Sequence, residues 1–186
     1  MPLSEPVARK PLHRRTIDMV GYQRTDGLFD IEAHLIDTKS YAFENLDRGL
    51  VEPGTPLHGM LARMTIDDDM LIVEFEASTE FAPYAMCPQA APNFARLAGV
   101  KVGRGFLRAA NERIGGIHGC THLRELLAQM GTVAIQTLYS ARQNQHAKSK
   151  DPTVTGRPAM LGTCMAYAPD SAQAKRLWPE YYTGPA

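Results

Sequence analysis

The sequence lacks the long apolar run that a membrane-spanning helix requires. The run that begins at Met70 stops at Glu74, far short of the ~20 residues that cross a bilayer. The sequence also lacks net charge, because 20 Lys and Arg residues balance 20 Asp and Glu residues. A neutral chain argues against a domain that holds nucleic acid through a general positive field. We therefore expect neither a membrane nor a nucleic acid as a partner.

Cysteine is scarce, with only Cys87, Cys120 and Cys164 in the chain. An odd and low count does not make a disulfide scaffold. The first 16 residues are rich in proline and basic side chains and lack the apolar core of a signal peptide. We therefore expect a cytoplasmic protein with reduced thiols, which either pack in a core or carry chemistry.

The length of 186 residues and the hydrophobic fraction of 44% are typical of one globular domain. Residues 1–14 contain three prolines and several basic side chains, and they are predicted to be a flexible basic arm. Residues 15–186 are predicted to form a single α+β domain, without internal repeats.

The N-terminal half of the chain is predicted to form two β-hairpins. The predicted strands cover residues 15–24, 28–43, 57–66 and 70–78. Asp26-Gly27 joins the first pair, and this dipeptide between extended runs is typical of a hairpin turn. The segment 45–56 has several glycine and proline breakers and is predicted to be a loop.

Alternation along the strands indicates which side chains face a core. On the second strand, the apolar face consists of Phe29, Ile31, Ala33 and Leu35. On the fourth strand, the side chains predicted to be buried are Leu71, Val73 and Phe75. His58 lies at the edge of an apolar, methionine-rich face of the third strand. These faces predict a sheet that is covered on one side.

The C-terminal half changes to helical periodicity. Helices are predicted over 87–98, 105–114 and 120–142, and the stripe of the last one is Leu123, Leu127, Met130, Ala134 and Leu138. A loop over 144–158, a strand over 159–167 containing a core Cys164, and a short closing element over 170–182 are expected to follow. Strands followed by helices predict an α+β fold, in which an antiparallel sheet of hairpins packs against C-terminal helices.

Two cysteines occupy positions that suit metal binding. Cys87 and Cys120 begin predicted helices, and the free N–H groups of a helix start stabilise the thiolate that binds soft metals or acts as a nucleophile. Together with His58 and His122, they form a ligand set for zinc or iron. Residues i and i+2 do not share a helix face. Both Cys120 and His122 can therefore serve only if the helix begins after Cys120. The alternative is that each thiol packs as a small core residue.

Polar side chains on the second strand offer a metal-free alternative. Asp37 and Lys39 fall on its apolar face, where a charge needs a partner or a pocket. Asp30, Glu32 and His34 share the opposite face, as an acid–base cluster or simply as a solvated surface.

A metal-free hydrolase, lyase or isomerase for a small organic substrate, whether aromatic or not, would use such groups. The base would be His58 or His34, oriented by Asp37 or Asp30, with His122 as a further catalytic candidate. The anion anchor would be Arg24 or Lys39. The apolar pocket would be lined by Met60, Met64, Met86, Phe81 and Tyr84. A third hypothesis is an accessory subunit of a partner enzyme, or a homo-oligomer.

Several sequence runs carry a resemblance to a known family. They are the run from Tyr22 to Lys39, Pro56-Leu-His-Gly-Met-Leu-Ala-Arg, Cys87-Pro, Gly105-Phe and Gly119-Cys-Thr-His-Leu-Arg-Glu-Leu. Over about residues 16–182 the chain resembles the bacterial family of unknown function numbered 2889. The Gly-Cys-Thr-His-Leu run is the most specific of these pieces. The resemblance implies no established activity.

The order of elements is also similar to that of NifU-type iron–sulfur scaffold proteins. In that family the ligands lie at the start of a hairpin, just after the hairpin, and in a Cys/His pair at the start of the final helix. The matching positions here are His58, Cys87 and Cys120 with its neighbour His122. The likeness implies a NifU- or SufE-like core with an additional N-terminal hairpin.

Overall fold

A computed structural model describes residues 3–149, 158 and 160–185 of the chain. The chain divides into two compact units between Gln145 and His146. The first unit is an α+β structure, as predicted, and contains the sheet and most of the long helix. None of the described helices combines the length and the apolar character that crossing a membrane requires.

The first unit is built on an antiparallel sheet of four strands in the order β1-β2-β5-β6. β3 and β4 form a separate hairpin of two short strands, and β4 and the last residue of β3 lie in the segment predicted to be a loop. The strands are β1 His13–Gln23, β2 Phe29–Lys39, β3 Phe43–Asn45, β4 Gly49–Val51, β5 Pro56–Ile66 and β6 Ile72–Phe81.

The first hairpin forms where the sequence predicts it. Gly27 has a φ of 90°, a conformation that glycine adopts without steric cost. The N–H of Arg24 donates to the carbonyl of Leu28 at 2.9 Å and closes the turn. The predicted apolar face of β2 is confirmed, since these side chains are all buried: Phe29, Ile31, Ala33 and Leu35.

The prediction for β6 is wrong at two of its three positions. Phe75 is buried, but Leu71 and Val73 are exposed and Ile72 is buried instead. The cause is a β-bulge, because the pairing of β5 with β6 shifts register between Thr65 and Ile66. A bulge inserts an extra residue and reverses the alternation beyond it.

The helices of the first unit begin where the sequence predicts them. They are a 3₁₀ helix over Cys87–Leu97, α1 over Phe106–Ile114 and α2 over Thr121–Ser149. The first has Pro92 in its interior, which has no N–H to donate to a preceding carbonyl as an α-helix requires. The buried stripe predicted for α2 is confirmed at each position: Leu123, Leu127, Met130, Ala134 and Leu138.

The α2 helix continues beyond its predicted end at about Arg142. It runs to Ser149, so the loop predicted over 144–158 is wrong for its first part. No glycine or proline follows Arg142 before Pro152, and nothing in the sequence therefore ends the helix earlier. Residues 150–157 of that predicted loop lie outside the described residues.

The second unit contains helical turns in its described part. The strand predicted over 159–167 is wrong from residue 160 onward, where turns lead into a 3₁₀ helix over Met165–Tyr167; residue 159 lies outside the description. Gly162 has a φ of 80°, which an extended strand does not adopt. Cys164 is exposed, so the core position predicted for it is also wrong.

A short helix closes the second unit. It is α3, over Ala172–Leu177, and a 3₁₀ turn over Pro179–Tyr181 follows. The hydroxyl of Ser171 accepts a hydrogen bond from the N–H of Ala174 at 3.0 Å. This is the N-cap that serine prefers.

Candidate metal and acid–base site

A buried carboxylate forms the centre of the site. Asp37 lies near the end of β2 on its inner face and is only 1% exposed. Arg15 lies directly opposite on β1 and donates two hydrogen bonds of 2.8 Å, one to each carboxylate oxygen. His13 contacts the same carboxylate at 3.0 Å. The partner that the sequence requires for a charge on this apolar face is therefore present.

Two further histidines face the same carboxylate. His58 lies opposite Asp37 on β5, and its Nδ1 is 3.1 Å from Oδ2 of Asp37. His122, in the first turn of α2, places its Nε2 at 3.8 Å from the same oxygen. The two imidazole rings stack with their centroids 3.8 Å apart. The ligand atoms of Asp37, His58 and His122 all lie within 4.8 Å of one another.

The start of α2 is held against the sheet by a second ion pair. Glu125, one turn after Thr121, forms an ion pair with Arg15. Arg15 therefore bridges Asp37 on the sheet and Glu125 on the helix. This bridge fixes the position of His122 over Arg15, Asp37 and His58, which lie side by side on β1, β2 and β5.

The surroundings fix the protonation states of the three groups. Burial alone would raise the pKa of the Asp37 carboxyl, but hydrogen bonds from Arg15 and His13 outweigh it and hold that pKa well below its usual range. Burial, assisted by the neighbouring His122, lowers the pKa of His58. Burial and then the positive charge of Arg15 lower the pKa of His122. At neutral pH the site therefore contains an ionised carboxylate and two neutral imidazoles.

Cys120 lies beside the site. Its Sγ is 3.9 Å from Nδ1 of His122, whereas Nε2 of the same ring is the atom nearer to Asp37 in the ion-pair contact. The α2 helix begins at Thr121, so Cys120 precedes it, as the ligand hypothesis requires. Within the described part of the chain, the Asp37 group includes neither Cys120 nor Cys87. Ligation by either thiol stays a prediction.

The remaining catalytic candidates lie elsewhere. His34 is on the outer face of the sheet, where its Nε2 is 3.0 Å from Glu80. It lines an open groove of about 370 Å³. Asp30 accepts a hydrogen bond from Thr65 at 2.7 Å and pairs with Arg24. These contacts are those of a polar surface, and neither His34 nor Asp30 belongs to the Asp37 group.

Sequence reasoning missed the basic partners of Asp37. The sequence predicts Arg15 at the start of a strand and His13 in the arm, and it indicates no role in the site for either. A signal for Arg15 exists, since it lies as many residues before Asp26 as Asp37 lies after it. A hairpin centred on Asp26 therefore pairs the two residues.

The fold and the site define an α+β protein with a carboxylate–imidazole centre between a sheet and the start of a long helix. The chain belongs to the family described as protein of unknown function DUF2889, whose profile matches residues 13–136. This range includes every residue of the site. The search of curated proteins found no match. The search of solved structures also found none, and the NifU likeness stays a prediction.

Proposed function

We propose that this protein binds a divalent transition metal, zinc or iron, through Asp37, His58 and His122. The observation that carries the proposal is the convergence of their three ligand atoms within 4.8 Å. Two imidazoles and a carboxylate are the ligands of non-haem iron centres and of many zinc enzymes. The three residues come from β2, β5 and α2, so folding is what assembles the set.

The protonation states support the proposal. A metal competes with protons for its ligands, and the lowered pKa values of His58 and His122 keep both rings neutral at physiological pH. The lowered pKa of Asp37 keeps its carboxylate ionised. The three residues therefore need to lose few or no protons when they bind a metal.

The surrounding groups suit a metal centre that keeps an open position. Cys120 faces the second ring nitrogen of His122, and Arg15 orients Asp37, as groups around metal ligands commonly do. The side chains of His58 and His122 are 16% and 22% exposed, which leaves access for water or a small substrate. A bound metal would supply Lewis-acid polarisation or an activated water.

The metal-free enzyme is the second candidate, and a specific contact favours it. The hydrogen bond between Asp37 and Nδ1 of His58, at 3.1 Å, leaves Nε2 of His58 unprotonated and ready to act as a general base. Arg15 already occupies both oxygens of Asp37 and competes with a cation for them. The substrate class would be the small organic molecules predicted from the sequence.

Cobalt and zinc titrations test the metal proposal. Chelator-treated protein should take up about one equivalent of Co²⁺ with visible absorption bands, and Zn²⁺ should displace it. His58→Ala and His122→Ala should each weaken uptake at least tenfold. His34→Ala is the matched control, because it removes an exposed histidine that is also paired with a carboxylate. Uptake that falls equally in all three variants, or no uptake at all, contradicts the proposal.

Imidazole NMR separates the two candidates. If the site works without metal, excess Zn²⁺ should leave the titration of His58 unchanged. Asp37→Asn should then lower the pKa of His58 further, because the carboxylate is what raises it. If the site binds metal, Zn²⁺ should abolish that titration.

A further inference from the structure

The two outer strands of the sheet in the first unit, β1 and β6, have different character. β1 pairs with β2 over the whole length of His13–Gln23 without a bulge. β6, at the opposite edge, shifts register near both of its ends. Bulges protect an edge from pairing with another chain, whereas a long regular edge strand presents a row of unused N–H and C=O groups. β1 is therefore the edge that a further strand can extend.

The hydrogen bonds at both ends of the hairpin show which residues of β1 offer these groups. Arg24 donates to Leu28, and the carbonyl of Leu12 accepts from Ser40. Even-numbered residues of β1 thus bond to β2, and odd-numbered residues direct their N–H and C=O groups to the free edge. The even-numbered side chains lie on the outer face, since Ile17 and Met19 pack against the core.

We propose that β1 pairs with β1 of a second copy of this chain, antiparallel and about a two-fold axis at Thr16. In this register Arg14 lies opposite Asp18 of the second copy, and Asp18 lies opposite its Arg14. Leu12 lies opposite Val20 in the same way. These positions form the non-hydrogen-bonded pairs, in which side chains approach most closely and opposite charges stabilise the pairing.

The exposed charges of β1 support this partner. Arg14 and Asp18 are both exposed, and neither forms an ion pair with any residue that the structure describes. Val20 and Leu12 are 39% and 54% exposed, although both are apolar. In a two-fold symmetric interface, each Arg14 pairs with an Asp18 and each Leu12 packs against a Val20, so both contacts form twice.

Neighbouring registers are unfavourable for the same residues. An axis at Arg14 places the two Arg14 side chains opposite each other. An axis at Asp18 does the same with the two Asp18 side chains. An axis at Arg15 places two guanidinium groups opposite each other, although Arg15 is already committed to Asp37. An axis at Ile17 places Arg14 opposite Val20. The charge pattern of the strand therefore selects the axis at Thr16.

Charge reversal tests the proposal by sedimentation at several protein concentrations. Wild-type protein should dimerise, and Arg14→Asp or Asp18→Arg should each weaken the dimer about tenfold or more. The double variant Arg14→Asp/Asp18→Arg should restore it, because it exchanges the charges within each pair. Glu74→Arg, an exposed reversal on β6, is the control and should leave dimerisation unchanged. Monomers at every concentration, or a double variant as weak as the single ones, overturn the proposal.

A crosslink tests the position of the axis. Thr16→Cys in a Cys164→Ser background should form a disulfide-linked dimer on mild oxidation, because facing non-hydrogen-bonded residues lie within disulfide reach. Val20→Cys is the matched control and should crosslink far less, since Val20 faces Leu12 instead of itself. Circular dichroism spectra identical to that of the wild type would confirm folding of each variant. Equal crosslinking of both variants, or none in Thr16→Cys, contradicts this register.

Discussion

Asp37 is the residue on which the local arrangement depends. It is a carboxylate on an otherwise apolar strand face, so its charge requires partners that are themselves fixed. Arg15, His13 and His58 supply them, and each comes from a strand other than β2. The same contacts that stabilise the buried charge also orient the imidazole of His58.

Removal of Arg15 should therefore be costly. Arg15→Ala removes the two hydrogen bonds that the guanidinium donates to the buried Asp37 carboxylate. We expect a loss of about 3–5 kcal/mol in the free energy of unfolding. Urea denaturation monitored by circular dichroism measures it. Arg63→Ala is the control, because Arg63 pairs with exposed Glu32 and Glu76 and should cost less than about 1 kcal/mol. Similar losses in both variants would show that Asp37 does not depend on Arg15.

At the scale of elements, the close approach of α2 to β1 positions the helix. A Cβ atom added at Gly21 would lie 1.9 Å from Oγ1 of Thr137. The glycine is therefore required by contact with the helix, not by its backbone conformation. Together with the Arg15–Glu125 ion pair, this contact fixes α2 over the first hairpin at two points.

Gly21→Ala should destabilise the protein although alanine suits a strand better than glycine. We expect a loss of about 1–3 kcal/mol from overpacking against Thr137, measured by thermal or urea denaturation. Thr137→Ala in the same chain should recover part of it by removing the clashing hydroxyl. Gly103→Ala, where nothing lies within 4 Å, should change stability by no more than about 0.5 kcal/mol. A Gly21→Ala variant as stable as the wild type would contradict the close approach.

At the scale of the whole molecule, the site links stability to pH. The pKa values of His58 and His122 are lower in the folded protein than the ordinary value. Below about pH 6.5 the unfolded chain therefore binds protons more readily than the fold does. The pKa of Asp37 is also lowered, so a further loss begins below about pH 4, where the unfolded carboxyl is protonated first.

We therefore expect the free energy of unfolding to be constant near neutral pH and to fall in two steps as the pH decreases. Urea denaturation across this range measures the profile. The double variant His58→Gln/His122→Gln should lose most of the step near pH 6, whereas His34→Gln should retain it. A profile that is flat down to pH 5, or a step that survives in the double variant, would contradict this linkage.

The sequence by itself determined the local features of this protein. Alternation placed Asp37 on the buried face of β2 and His58 at the edge of the core. Glycine, proline and cysteine positions marked the turn at Asp26-Gly27 and, to within one residue, the starts of the helices, including that of α2 near Cys120. These features depend on neighbours a few residues away, which the local pattern records.

Only the tertiary structure decided which of these residues meet. The bulge in β6 reversed the alternation at Ile72 and Val73, because it depends on pairing with β5. The register of β1, β2 and β5 and the position of α2 over the sheet brought Arg15, Asp37 and His122 together. The same packing left both Cys87 and Cys120 outside the Asp37 group within the described chain. Such contacts join residues far apart in the sequence, and their geometry follows from how whole elements pack, which no local pattern contains.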